Sequence, residues 1–148
     1  MKKVMFFSFV ILVLSQACGQ KKIPDNVIAA FNSKFVNATK VKWDKENNKE
    51  WEAEFKLNGK TYSANFSNEG QWLETEYEIE NFNIPKKVQE TLNTFKGFGI
   101  KKGEVSETNN GINYEFILKG KVEKIEVVVD ALGNILQKES INREEDND

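Results

Sequence analysis

Apolar and charged residues alternate strictly along several segments of this 148-residue chain. In residues 50–57 every second side chain is apolar, and the residues between them are glutamates and one lysine. A period of two is typical of a β-strand that buries one face and exposes the other. A sheet of such strands needs a covering layer on its apolar side alone. The apolar positions of this segment are Trp51, Ala53, Phe55 and Leu57.

Glycine-containing turns separate further alternating segments. Asn58-Gly59 predicts a tight hairpin, because both residue types accept a positive φ. Asn68-Glu69-Gly70, Asn110-Gly111 and the segment 130–133 interrupt the chain in the same manner. The alternating segments between these turns are therefore predicted to be neighbouring antiparallel strands.

The two prolines of the chain open two similar segments, Ile23-Pro24 and Ile84-Pro85, which lie 61 residues apart. Proline suits the first turn of a helix, because its φ is already helical and its missing N–H would have no partner there. Apolar residues then recur every three or four positions, as in an amphipathic helix. Each segment is predicted to form a short helix with one apolar stripe, which consists of Val27, Phe31 and Phe35 in the first and of Val88, Leu92 and Phe95 in the second.

The order of these elements predicts the α+β class. Residues 23–80 and 84–141 each have the pattern of one helix followed by about four antiparallel strands. Leu57-Asn58-Gly59-Lys60 and Leu118-Lys119-Gly120-Lys121 share the 61-residue offset of the prolines. We expect two tandem helix-plus-strand repeats that form a sheet with the helices packed on one face.

Composition excludes several kinds of chemistry. The chain has no histidine and a single cysteine, so it cannot form a histidine-containing catalytic triad, an internal disulfide or a cysteine-rich zinc site. Its 21 basic and 23 acidic residues give a net charge of -2, which argues against nucleic acid as the partner. The protein is therefore predicted not to be an enzyme, with no catalytic residues, metal or cofactor.

The amino terminus has the pattern of an export signal. Lys2 and Lys3 precede an apolar stretch from Val4 to Leu14. This stretch is too short to span a bilayer as a helix, and a basic start followed by a short apolar run is typical of a secretory signal. Residues 1–17 are therefore predicted to be a signal peptide.

Small residues then lead to the single cysteine, Cys18, and the sequence here resembles a bacterial lipoprotein processing site. Ser15 stands where that pattern usually has leucine. The resemblance implies lipid attachment at Cys18, a lipidated tether over residues 18–22, and a bacterial cell-envelope location on the periplasmic face or the cell surface. The alternative is an ordinary secretory peptide with an incidental thiol. Residues 142–148 are predicted to be a solvated acidic tail.

Glutamates alternate along two predicted strands, at positions 50, 52 and 54 and at positions 74, 76, 78 and 80. Stacked carboxylates can bind Ca²⁺ or act as an acid–base pair, and the simpler alternative is a solvated sheet face. Trp72 has the same parity as Glu74 and Glu76, so it is predicted to face solvent beside them. Exposed tryptophan is common in binding sites, although an aromatic residue at strand spacing can equally belong to the core. We expect Trp72, Glu74 and Glu76 to bind a partner.

Helix starts and aromatic strand motifs together carry a family resemblance. They are Ile23-Pro24, Val41-Lys42-Trp43, Trp51-Glu52-Ala53-Glu54-Phe55, Asn68-Glu69-Gly70-Gln71-Trp72, Ile84-Pro85 and Tyr114-Glu115-Phe116. With these motifs, residues 23–141 resemble the PepSY-like domains of secreted Bacteroidetes proteins, which are similar to the fold of beta-lactamase-inhibitor protein. The resemblance implies an antiparallel sheet with helices on one side. For the wider group it suggests an inhibitory or peptidase-modulating role.

These features together predict a non-enzymatic cell-envelope lipoprotein that binds a protein or peptide, as an inhibitor or modulator. Its expected contacts are an unknown protein or peptide partner and the membrane, through the lipid anchor, but not nucleic acid. Two alternatives remain open. One is a Ca²⁺-binding protein or a carboxylate-dependent enzyme that uses the glutamate rows, and the other is a passive structural protein of the envelope.

Overall fold

The computed structural model describes residues 22–141, and the predicted signal peptide, Cys18 and the acidic tail lie outside them. Within this range eight antiparallel strands form one sheet, in which each strand pairs with its neighbours in sequence. The strands are β1 (Thr39–Asp44), β2 (Glu50–Leu57), β3 (Lys60–Ser67), β4 (Trp72–Glu78), β5 (Gly99–Thr108), β6 (Gly111–Lys119), β7 (Lys124–Asp130) and β8 (Ile135–Ile141). The helices are α1 (Asp25–Lys34) and α2 (Lys86–Leu92), and a 3-10 turn, Asn81–Asn83, precedes α2.

The predicted α+β class with tandem helix-plus-strand repeats is wrong. The structure is mostly β, because strands of 6 to 10 residues form one continuous eight-stranded sheet while the two helices have 10 and 7 residues. The sheet is continuous because β4 pairs directly with β5, from Glu74↔Thr108 to Glu78↔Glu104. Helix α2 ends at Leu92, before residues that are poor helix formers, so Phe95 lies beyond it.

Both helices pack on the same face of the sheet. Within residues 22–141, neither has the length and hydropathy that crossing a membrane requires. Helix α1 buries Val27 and Phe31 against β2 and β3. The Phe31 ring is central here, because its centroid lies 5.3 Å from that of Trp43, 5.0 Å from that of Phe55 and 6.1 Å from that of Phe66. Helix α2 covers the other half of the sheet with a second apolar cluster, which includes Val88, Leu92, Phe116, Leu118, Ile125 and Val127.

The turns predicted from the sequence are present, and register shifts interrupt some of the pairings. Asn58 and Gly59 have φ values of 52° and 83°, as the predicted hairpin between β2 and β3 requires. Register shifts occur in the β1–β2, β3–β4, β5–β6 and β7–β8 pairings. Each shift is a β-bulge or irregularity, which increases the local twist of the sheet.

Asn68 connects α1 to the turn between β3 and β4. Its side-chain oxygen accepts hydrogen bonds from Trp51 Nε1 at 3.0 Å and from Lys45 Nζ at 3.3 Å. Its amide nitrogen donates to the Asn48 carbonyl at 3.0 Å, and its backbone carbonyl accepts from Asn26 Nδ2 at 3.1 Å. One asparagine therefore fixes a strand, a loop and the start of a helix.

Gly70 makes the closest approach of this turn to α1. Its φ is 80°, and a Cβ at this position would lie 2.8 Å from the Asn26 carbonyl oxygen. Gly133, in the turn between β7 and β8, approaches α2 in the same manner, because its Cβ would lie 2.8 Å from the Lys87 carbonyl oxygen. The two helices are thus positioned by backbone contacts that tolerate no side chain.

Replacing Gly70 by alanine is expected to lower the free energy of unfolding by about 2–3 kcal/mol, because the new Cβ both strains the positive φ and collides with Asn26. Gly59→Ala is the matched control, since Gly59 has a φ of 83° but no atom within 4 Å of its Cβ position. Its cost is expected to be near 1 kcal/mol, from backbone strain alone. Urea unfolding of both variants measures the difference, and equal losses would contradict the close contact.

Candidate functional site: the open face of the sheet

The sheet face opposite α1 and α2, called the open face here, is rich in carboxylates. Antiparallel pairing brings open-face residues of successive strands side by side. Glu76 on β4 is paired with Ser63 on β3 and with Ser106 on β5, and Glu104 on β5 is paired with Glu115 on β6. The open-face side chains at the middle of the sheet are Glu52, Ser63, Asn65, Glu74, Glu76, Glu104, Ser106, Glu115, Glu126 and Val128.

Three of these glutamates converge at the centre of the open face. One carboxylate oxygen each of Glu74, Glu76 and Glu115 lies within 4.8 Å of the other two. These three residues are called the carboxylate centre below. The buried hydroxyl of Ser106 donates a hydrogen bond to the Glu74 carboxylate. The centre therefore combines residues from β4 and β6, and Ser106 on the intervening strand β5 supports it.

Partial burial and mutual repulsion keep protons on this centre. Burial raises the pKa of Glu76 from its ordinary value of 4.5 to about 8, and the nearby carboxylates of Glu74 and Glu115 raise it further. Burial, with the charge of Glu74, raises the pKa of Glu115 to about 7. Burial also raises the pKa of Glu74, although the Ser106 hydrogen bond opposes this change. At neutral pH the centre is therefore only partly ionised.

A glutamate on β2 extends the same electrostatic pattern. Burial is the main cause that raises the pKa of Glu52 to about 7, and the charges of Glu46, Glu54 and Asp44 add to it. A positive charge is also present at the middle of the sheet, because Lys102 Nζ on β5 lies 2.9 Å from a carboxylate oxygen of Glu104. The middle of the open face is thus acidic, and Lys102 partly neutralises it at β5.

Two side chains of the open face are buried beside the carboxylate centre. Val128 is 1% exposed and Ser106 is 2% exposed, although both belong to the face that carries no helix. Val128 is paired with Glu115 on one side and Gln137 on the other. Longer neighbouring side chains therefore cover Val128 and Ser106, and the carboxylates stand next to them.

The structure places Glu74 and Glu76 together, but it separates Trp72 from them. A register shift between Asn65 and Phe66 pairs Trp72 with Phe66, whose side chain belongs to the core under α1. Trp72 Nε1 donates to Thr75 Oγ1 at 2.8 Å, and Lys34 Nζ lies 3.6 Å from the centroid of the Trp72 ring. Trp72 is thus partly buried on the side of the sheet that carries the helices. The bulge adds one residue to β4, so Trp72 does not share the face of Glu74 and Glu76 as its spacing in the sequence predicted.

Sequence reasoning did not select Glu115, Glu104 or Ser106 for this site. Alternation within β6 places Glu115 opposite the apolar residues Tyr114 and Phe116, so its open-face position could have been predicted. Its proximity to Glu74 could not, because that depends on the β4–β5–β6 pairing and on the reach of the side chains.

The folded protein is expected to lose stability as the pH rises from about 4.5 to 8. Below the lower value the carboxyls are protonated in both states, so burial has no cost. Above it the unfolded chain ionises freely, whereas Glu76, whose folded pKa is about 8, resists ionisation. Glu76→Gln should therefore raise the free energy of unfolding at about pH 8.5 by on the order of 2 kcal/mol and leave it nearly unchanged at about pH 4.5.

Urea unfolding at the two pH values measures this effect. Glu123→Gln, at an exposed position in the turn between β6 and β7, is the control and should change neither value. If the parent and Glu76→Gln proteins showed the same dependence of stability on pH, the assignment of burial at this site would be wrong.

Solved structures of similar shape show the fold family of the chain. A DUF2874 family protein from Bacteroides uniformis is 16% identical, with a TM-score of 0.75, over 82% of this chain and 91% of its own. A BLIP-like protein from Bacteroides fragilis is 17% identical, with a TM-score of 0.75, over 88% of this chain and 94% of its own. A candidate periplasmic protein from Bacteroides eggerthii is 14% identical, with a TM-score of 0.74, over 81% of this chain and 90% of its own.

No family model and no curated protein matches the chain. At these identities the structural likeness establishes the fold and nothing further. The similarity to the fold of beta-lactamase-inhibitor protein, which the family resemblance implied, is therefore confirmed, while the PepSY-like assignment stays a prediction. The chain has a BLIP-like fold.

Proposed function

We propose that this chain is a non-enzymatic cell-envelope protein that binds a protein or peptide partner on its open face. The observation that carries this proposal is a wide sheet face on which neither helix packs and which polar side chains line. The BLIP-like neighbour is consistent with an inhibitor or modulator. The absence of histidine from the sequence supports a binding role over catalysis.

Anchoring through Cys18 is part of the same proposal. Residues 1–17 would be removed as a signal peptide, residues 18–22 would act as a lipidated tether, and residues 142–148 would remain as an acidic tail. A PepSY-like domain would occupy residues 23–141. The candidate periplasmic neighbour is consistent with this location.

Metabolic labelling with a fatty-acid analogue tests the anchor. The parent protein should incorporate the label, and Cys18→Ser should not, because the thioether would form on that sulfur. Equal labelling of the two proteins would contradict acylation at this position.

A photo-crosslinking residue tests the binding face. Placed at Asn65, which lies on the open face between Glu52 and Glu74, it should give one main covalent product in envelope extract. The same residue at Asn32, an exposed position on α1, is the matched control and should give little of that product. Equal yields from both positions, or no product from either, would contradict binding at the open face.

A second candidate function is binding of a divalent cation, favoured by the mutual approach of Glu74, Glu76 and Glu115. The carboxylates would have to lose their protons first, so cation affinity should increase with pH. Calorimetric titration with Ca²⁺ tests this role, with Glu76→Gln as the control. Saturable heat in the parent protein that disappears in the variant would favour the ion-binding role. A passive structural role predicts neither this heat nor a crosslinked partner.

A further inference from the structure

We propose that the acidic tail, residues 142–148, binds to a lysine-rich end of the sheet within the same chain. The lysine-rich end consists of two segments, residues 96–101, which lead into β5, and residues 119–124, which join β6 to β7. This surface is separate from the open face, so the inference goes beyond the proposed function. The register of the strands and charge complementarity support it.

The two segments of the lysine-rich end are in contact with each other. Gly99, the first residue of β5, is paired with Lys119, the last residue of β6. A Cβ at Gly120 would lie 3.0 Å from an atom of the Phe98 ring, so the turn after β6 packs against the loop before β5. The lysines of the two segments therefore belong to one surface.

Positive charge is in excess on this surface. The two segments contain five lysines, and Glu123 is their one acidic residue, so their formal net charge is +4. Glu78 and Glu80 also lie at this end of the sheet, where β4 finishes on the other side of β5, and they reduce the excess without cancelling it. The exposed lysines of the two segments are Lys96, Lys101, Lys119 and Lys121.

The acidic tail follows directly after a residue of this end. Ile141, the last residue of β8, is paired with Lys124, and Lys124 is paired with Lys119. Neighbouring strands are about 4.8 Å apart, so Ile141 lies about 10 Å from Lys119. Seven extended residues would span up to about 24 Å, which is enough to reach Lys119 and Lys121.

Charge complementarity identifies the tail as the occupant of this end. Residues 142–148 contain four acidic residues and Arg143, so their formal net charge is -3. The Debye length at an ionic strength of 0.1 M is about 10 Å, so the two opposite charges attract each other over the distance from Ile141 to Lys119. Exposed ion pairs are individually weak. A segment of the same chain needs little affinity, however, because its effective concentration at this end is in the millimolar range.

Zero-length carbodiimide crosslinking of the full chain tests this contact, because it joins a carboxylate to a lysine amine only where the two meet. Mass spectrometry should find isopeptide bonds from the tail carboxylates to Lys119 or Lys121, and about 0.5 M sodium chloride should lower their yield about threefold. Lys86 and Lys87 are the matched controls, since they are exposed on α2 at the opposite end of the sheet, beside Gly133, and should give little product with the tail.

Equal yields with the two pairs of lysines would overturn the inference, as would no product with Lys119 or Lys121. A yield that falls on about tenfold dilution would also overturn it, because the bond would then join two copies of the chain. Nuclear magnetic resonance gives a second measurement. Neutralising the tail carboxylates should shift amide signals in residues 96–101 and 119–124, and unchanged signals in both segments would overturn the contact. The variant for this measurement is Glu144→Gln/Glu145→Gln/Asp146→Asn/Asp148→Asn.

Discussion

Helices of 10 and 7 residues are too short to be stable alone in water, so each one folds only where the sheet receives its apolar stripe. The sheet in turn depends on the helices, because one face of its strands carries aromatic and branched side chains that are stable only when they are shielded from water. The Phe31 ring and its three aromatic neighbours on the sheet show how tightly this mutual burial is packed under α1. Because both helices pack on the same face, neither of them covers the side chains of the opposite face.

The acidity of the open face follows from that arrangement. Glutamates on a flat, fully solvated sheet would ionise at their ordinary pKa. Here neighbouring strands hold Glu74, Glu76 and Glu115 close together beside the buried side chains of Ser106 and Val128, so burial dominates and repulsion adds to it. Ionisation of these carboxylates at high pH therefore has a stability cost in the folded state, because folding alone does not compensate the burial of their charges.

Local patterns in the sequence predicted much of the local structure and little of the assembly. Alternation and Asn58-Gly59 correctly indicated β2, β3 and their hairpin, because period and turn chemistry depend on near neighbours. The class was misjudged, since the pairing of β4 with β5 and the early end of α2 depend on tertiary contacts that no periodicity reports. Glu74 and Glu76 were correctly expected on one face, whereas a single inserted residue in β4 turned Trp72 towards the core.

The register shifts also bear on how the sheet ends. Within residues 22–141, β1 and β8 are the outermost strands of the sheet, and the backbone N–H and C=O groups along such edges invite further strands and aggregation. Lys40, in the irregular part of β1, has a φ of 55°, and the pairing of β7 with β8 shifts between Val128 and Val129. An edge strand that is twisted and carries charged side chains pairs poorly with a strand of another chain. The outermost strands thus protect this β-rich protein from stacking on its own copies.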